Sequence, residues 1–77
     1  MGTLAVRQLR RKRKEAHDAM NRLFDSGIMT KRQAYRWLQT QMGLPETETH
    51  IGEFSELRCQ KVIDLCAAFS RAWARAA

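Results

Sequence analysis

Cys59, Val62, Cys66, Phe69 and Trp73 follow one another in steps of three or four, with Ile63 four on from Cys59 and three before Cys66, a spacing that lays all six along one side of an α-helix. The last third of the chain therefore reads as a helix with a buried stripe, and that stripe needs partners. Ser55 offers an N-cap and Glu56 a carboxylate for the positive end of the helix dipole, so the helix is expected from residue 56 to about residue 75. Arg58, Lys61, Arg71 and Arg75 fall off the stripe.

Two further segments supply partners. From residue 4 to about residue 25, Leu9, Ala16, Met20, Leu23 and Phe24 keep the helical period with neither Pro nor Gly between them, and Thr3 stands where an N-cap belongs. Asp25-Ser26-Gly27 suits a left-handed stop. Thr30 with Gln33 forms a capping box, and Met29 is placed to staple against Ala34. The second helix is expected over residues 31–42, closed by Gly43 and kept closed by Pro45. Ala34, Leu38 and Met42 face inward, Tyr35 or Trp37 take the shoulders, and Arg32 and Arg36 project outward. Residues 46–54 read as an irregular loop pinned by Ile51 and Phe54. No alternating β-branched run occurs, and no hairpin dipeptide joins two such runs. The expectation is an all-α, three-helix domain spanning residues 1–77, with an acidic loop between helices two and three.

Charge is distributed unevenly over these elements. Fourteen Lys and Arg against eight Asp and Glu give +6, yet residues 45–56 carry −4 and the remainder +10. Six of the fourteen basic residues lie in residues 7–14. On a helix, Arg7, Arg10, Arg11 and Lys14 fall opposite the Leu9, Ala16 and Met20 stripe, while Lys12 and Arg13 flank it. Like charges three and four apart repel by a few tenths of a kcal/mol per pair, about 0.2–0.5, a cost that phosphates or carboxylates remove. The ridge therefore points to a polyanion or an acidic protein. Arg32 and Arg36 extend that surface. Residues 30–38 also have the outline of the second helix of a helix-turn-helix, with Arg32, Gln33 and Arg36 as readers, but the turn before them is long for that motif. Tyr35 and Trp37 suit either stacking on a single strand or the core.

A chain this short has a core worth only ~3–5 kcal/mol net, so function by surface contact is expected over function in a cavity, and a homodimer would bury more apolar area. Phe69 and Trp73 either pack on helix one or form an exposed aromatic interface. Cys59 and Cys66 lie seven apart, about two turns on one face, too far for a mutual disulfide and suited to a core. His17 and His50 have no catalytic companions in sequence; His50 is expected to bond a backbone group and fix the loop, Gly52 to permit a turn closed to other residues, and Phe54 to anchor both. Paired carboxylates, metal-ligand spacing and Gly-rich phosphate loops are missing. The expectation is a non-enzyme with no catalytic residue, metal, cofactor or small-molecule substrate. Neither a signal peptide nor an apolar run of membrane-spanning length is present, and Val6 stands where a myristoylation motif wants Ser or Thr, so no membrane partner is expected.

Gly2-Thr3-Leu4-Ala5, Leu9-Arg10, Ala16-His17, Arg32-Gln33-Ala34-Tyr35-Arg36-Trp37-Leu38 and His50-Ile51-Gly52-Glu53-Phe54, with Cys59 and Val62, form an ordered series. It resembles the C-terminal helical region of phage and prophage proteins grouped as a zinc-finger-containing domain of unknown function, over residues 2 to about 66. Members of that family carry a paired-cysteine zinc knuckle ahead of this region, whereas this sequence has no Cys-x-x-Cys. The resemblance implies a helical phage or bacterial module in the cytoplasm of a bacterial host, with Cys59 as a core position. Two functions then compete. One is nucleic-acid contact through Arg7, Arg10, Arg11 and Lys14 with help from Arg32 and Arg36, mainly through phosphates. The other is an inhibitor or adaptor that binds a host defence or nucleic-acid-processing complex, as anti-CRISPR proteins do.

Overall fold

A computed structural model describes residues 4–76 of the chain. It contains α1 (Leu4–Asp25), α2 (Lys31–Met42) and α3 (Glu56–Ala76), with two short 3-10 turns, Glu46–Glu48 and Ile51–Glu53, between the last two. No strand occurs among the described residues. The expected three-helix, all-α architecture is the one observed, and Thr3, the anticipated cap of α1, lies outside the described residues.

Local signals set the ends of α2. The Thr30 hydroxyl accepts from the Gln33 backbone N–H at 3.2 Å, and the Thr30 N–H donates to the Gln33 side chain at 3.0 Å, which completes the capping box. Gly43 closes the helix at φ 65, and the Leu44 N–H then reaches back to the Gln39 carbonyl at 3.1 Å. Gly27, at φ 77, makes the corresponding left-handed stop after α1. At α3 the Ser55 hydroxyl accepts from the Arg58 N–H at 3.2 Å, as a cap should.

Packing is dominated by α1 against α3. Ala16, Ala19, Met20 and Leu23 of α1 close on Cys59, Val62 and Cys66 of α3, while Ala34 and Leu38 of α2 and the loop residues Ile51 and Phe54 complete the core. The alanines let the backbones approach, and Met20 fills the space between helices, its sulfur 3.6 Å from the Cys66 sulfur. Arg13 meets Phe54, just ahead of α3, and Met20 meets Cys66, so α1 and α3 run in the same direction. They are also staggered. Each is about 31–33 Å long by the rise of a helix, yet the molecule extends 47 Å along its main axis. At one end the first turns of α1 stand clear, with Leu4 72% exposed; at the other, residues 70–76 of α3 are all exposed.

Candidate nucleic-acid interface

Stagger decides what the ridge looks like. Arg7 sits on the first turns of α1, which stand clear, Arg10 and Arg11 follow one turn on, and all three are exposed. Among the described residues no carboxylate pairs with any of them. The position of Arg7 also works against the helix: it stands at the end of a first turn that has no acidic residue, where a cation is unfavourable by roughly 0.3–1 kcal/mol. Repulsion among neighbours adds to that. A surface kept charged against both effects is suited to an anion brought from outside.

Lys14 departs from the expected free ridge. Its amine lies 3.2 Å from the Asp18 carboxylate, one turn on. Such exposed i, i+4 pairs are worth ~0.2–0.5 kcal/mol, so a phosphate can displace Asp18 readily. The flanking residues do structural work instead. Lys12 pairs with Glu15 at 3.7 Å, and the half-buried Arg13 donates through Nε to the Phe54 carbonyl at 3.0 Å. Glu15 and Glu56 also share a shallow cleft with Arg11 and Lys12, but Glu15 is engaged with Lys12.

On α2, Lys31, Arg32 and Arg36 gather beside one open cleft of about 630 Å³. Lys31 and Arg32 stand in the first turn of a helix that has no acidic residue there, again the unfavourable end for a cation. Gln33 has its side-chain oxygen engaged in the capping box, which leaves only its amide nitrogen for a base edge. A second cleft of about 520 Å³ adjoins the first and brings together His17 of α1, Tyr35 and Gln39 of α2, and Glu46, His50 and Gly52 of the loop. Sequence spacing gives no hint that the two histidines share a wall, since they meet only when α1 and the loop pack. Tyr35 is half-buried against the Phe24 ring, centroids 6.0 Å apart, and burial pushes its hydroxyl pKa up.

Two loop expectations are corrected. The His50 ring is exposed and makes no hydrogen bond among the described residues, so it does not fix the loop. The Thr49 hydroxyl does that by donating to the Pro45 carbonyl at 2.8 Å, together with the burial of Ile51 and Phe54 and the Arg13 bond. Gly52 does not adopt a positive φ, and an added Cβ would meet nothing within 4 Å, so no turn geometry demands glycine there. Phe54 holds its expected place, 1% exposed, with the Arg58 guanidinium 5.8 Å from its ring centre.

Phe69 packs against the core while Trp73 stays half exposed, so the two do not form a wholly exposed pair. Trp37 of α2 meets the Phe69 ring edge-on at 5.3 Å, and Trp73 stacks on the far side of Phe69 at 6.2 Å, remaining 51% exposed. Because α3 is displaced along α1, Trp73 lies beyond the point where α1 ends.

Fold and surface together define a small all-α domain with cationic patches on two helices. The chain belongs to the zinc-finger-containing domain family, whose model matches residues 1–69. No curated protein and no solved structure matches it. The family description implies zinc, and the residues present do not fit that ion. Among the described residues no group of three or more His, Cys, Asp or Glu converges. The two cysteines are buried thiols with separate neighbours, Cys66 beside the Met20 sulfur and Cys59 beside the Phe54 carbonyl, and burial pushes Cys66 up to about 11 and raises Cys59 as well. Among the described residues no helix is long and apolar enough to cross a membrane.

Proposed function

We propose that this chain is a small, non-enzymatic binding protein of phage or prophage type that contacts nucleic acid mainly through phosphates, inside the bacterial host cell. One observation carries the reading: among the described residues Arg7, Arg10 and Arg11 are exposed and have no carboxylate partner, on one face of α1 where their like charges repel one another. Arg32 and Arg36, with Lys31, supply a second set of phosphate contacts. Contacts of this kind fix position without reading sequence, so low sequence preference is expected. An electrophoretic titration with DNA and RNA tests it. Replacing Arg7, Arg10, Arg11 and Lys14 by Glu is expected to push dissociation beyond ~10⁻⁴ M, the weak end of non-specific binding. Unchanged affinity in that variant rejects the proposal.

A second reading, an inhibitor or adaptor on a host defence or nucleic-acid-processing complex, is favoured by Trp73, a half-exposed aromatic at the end of a ring stack. Such rings anchor protein interfaces. Capture of a partner that survives nuclease treatment and is lost with Trp73→Ala supports this reading over the first.

A further inference from the structure

The two adjoining clefts share Tyr35, Gln39 and Glu46 as a common wall, with Lys31, Arg32 and Arg36 on one side and His17, His50 and Gly52 on the other. Both volumes, about 520 and 630 Å³, fall within the ~300–1,000 Å³ typical of pockets for small organic groups. One side offers three cations. The other offers the His17 and His50 rings, and the shared wall adds the Tyr35 ring, an amide and a carboxylate. That is the division of a nucleotide: phosphates need the cations, and a base needs flat faces to stack on.

The remaining lining groups agree with a base. Gln39 presents both a donor and an acceptor, and the Glu46 carboxylate, which borders both clefts, accepts from exocyclic amines such as cytosine N4. Gly52 needs neither a left-handed φ nor space for packing, since open room surrounds its missing Cβ; what its glycine provides is a bare cleft wall. Arg10 lies two turns before His17 on nearly the same side of α1, so a strand following the ridge is led into the cleft.

We infer that the joined clefts hold one unpaired nucleotide of a single strand, its base against His17, Tyr35 and His50 and its phosphates on Lys31, Arg32 and Arg36. The inference rests on the nucleic-acid reading above and sharpens it to single-stranded DNA or RNA. A base inside a duplex stack cannot enter unless it is flipped out. Stacking on aromatic side chains makes a preference of about tenfold for a single strand over a duplex of equal length reasonable.

Fluorescence anisotropy with a labelled single strand and its duplex tests this, using the wild-type chain, Gly52→Phe and His50→Ala. Gly52 is exposed with nothing near its Cβ, so Gly52→Phe fills the cleft while circular dichroism stays unchanged. The expected result is a wild-type preference for the single strand, lost in Gly52→Phe and reduced in His50→Ala, with duplex affinity unaltered. Equal wild-type affinity for both probes, or a preference that Gly52→Phe leaves intact, overturns the cleft assignment while the phosphate-based reading stands. Binding to neither probe overturns both.

Discussion

The Nε–H of Arg13 donates to the carbonyl of Phe54 at 3.0 Å, joining α1 to the loop ahead of α3 across 41 residues of chain. The same carbonyl lies 3.9 Å from the Cys59 thiol. One basic residue of the cluster at residues 7–14 is thus committed to the fold, and its neighbours Arg10 and Arg11 face solvent. Cations engaged within the fold and cations left facing solvent stand on a single helix.

From this follows a separation of effects. Arg13→Ala leaves the Phe54 carbonyl without its charged donor and is expected to lower stability by about 1.5–3 kcal/mol. Arg10→Ala, on the exposed side, is expected to stay within ~0.5 kcal/mol of wild type. Urea denaturation of the two variants checks the contrast; equal midpoints contradict it.

Arg7→Glu should act in opposite directions on folding and binding. It places an anion near the positive end of α1 and removes a like-charge neighbour of Arg10 and Arg11, for an expected gain of roughly 0.3–1 kcal/mol. Polyanion affinity is expected to fall at the same time. A thermal melt at low salt beside a binding titration measures both, and a loss of stability contradicts the placement of Arg7 on an unpaired end.

Thr30→Ala removes the hydroxyl half of the capping box and is expected to cost about 1 kcal/mol. In a domain of this size that is a drop of ~4–8 °C in melting temperature. Differential scanning calorimetry reads it directly.

Much of the fold is legible in the sequence because its signals are local. Thr30, Gln33 and Gly43 bound α2 with groups no more than a few residues apart, and the period of Cys59, Val62 and Cys66 places α3 without knowledge of its partner. The site is less legible. The Arg13 bond and the cleft shared by His17 and His50 depend on packing between distant segments, which no spacing rule encodes. Gly52 suggests a special turn because glycine so often serves one, yet its backbone is ordinary and its value lies in the absence of a side chain beside the cleft. Trp73 escapes α1 because the stagger of α1 and α3 is set by the whole core.

Alkali should destabilise the fold. Burial holds the Cys66 thiol protonated to about 11 from an ordinary 9.0, with Arg22 opposing, while an unfolded chain releases that proton earlier. Its contribution is complete below about pH 9 and is lost as pH rises toward about 11, on the order of 2 kcal/mol. Buried Tyr35 and Cys59, both raised, act in the same direction. Melting temperature followed from neutral to alkaline pH is expected to fall, and the fall is expected to be shallower in Cys66→Ala whatever that variant's starting stability.

The dependence of affinity on salt addresses the anion-binding surface most directly. Neutralising about four phosphates with the α1 ridge contributes roughly −3 to −4 to the slope of log K against log salt, and the α2 cations steepen it further. In the Arg7→Gln, Arg10→Gln, Arg11→Gln triple variant the slope should shrink by about 2 to 3. A wild-type slope near zero, or a variant slope equal to that of wild type, contradicts a phosphate-binding ridge on α1.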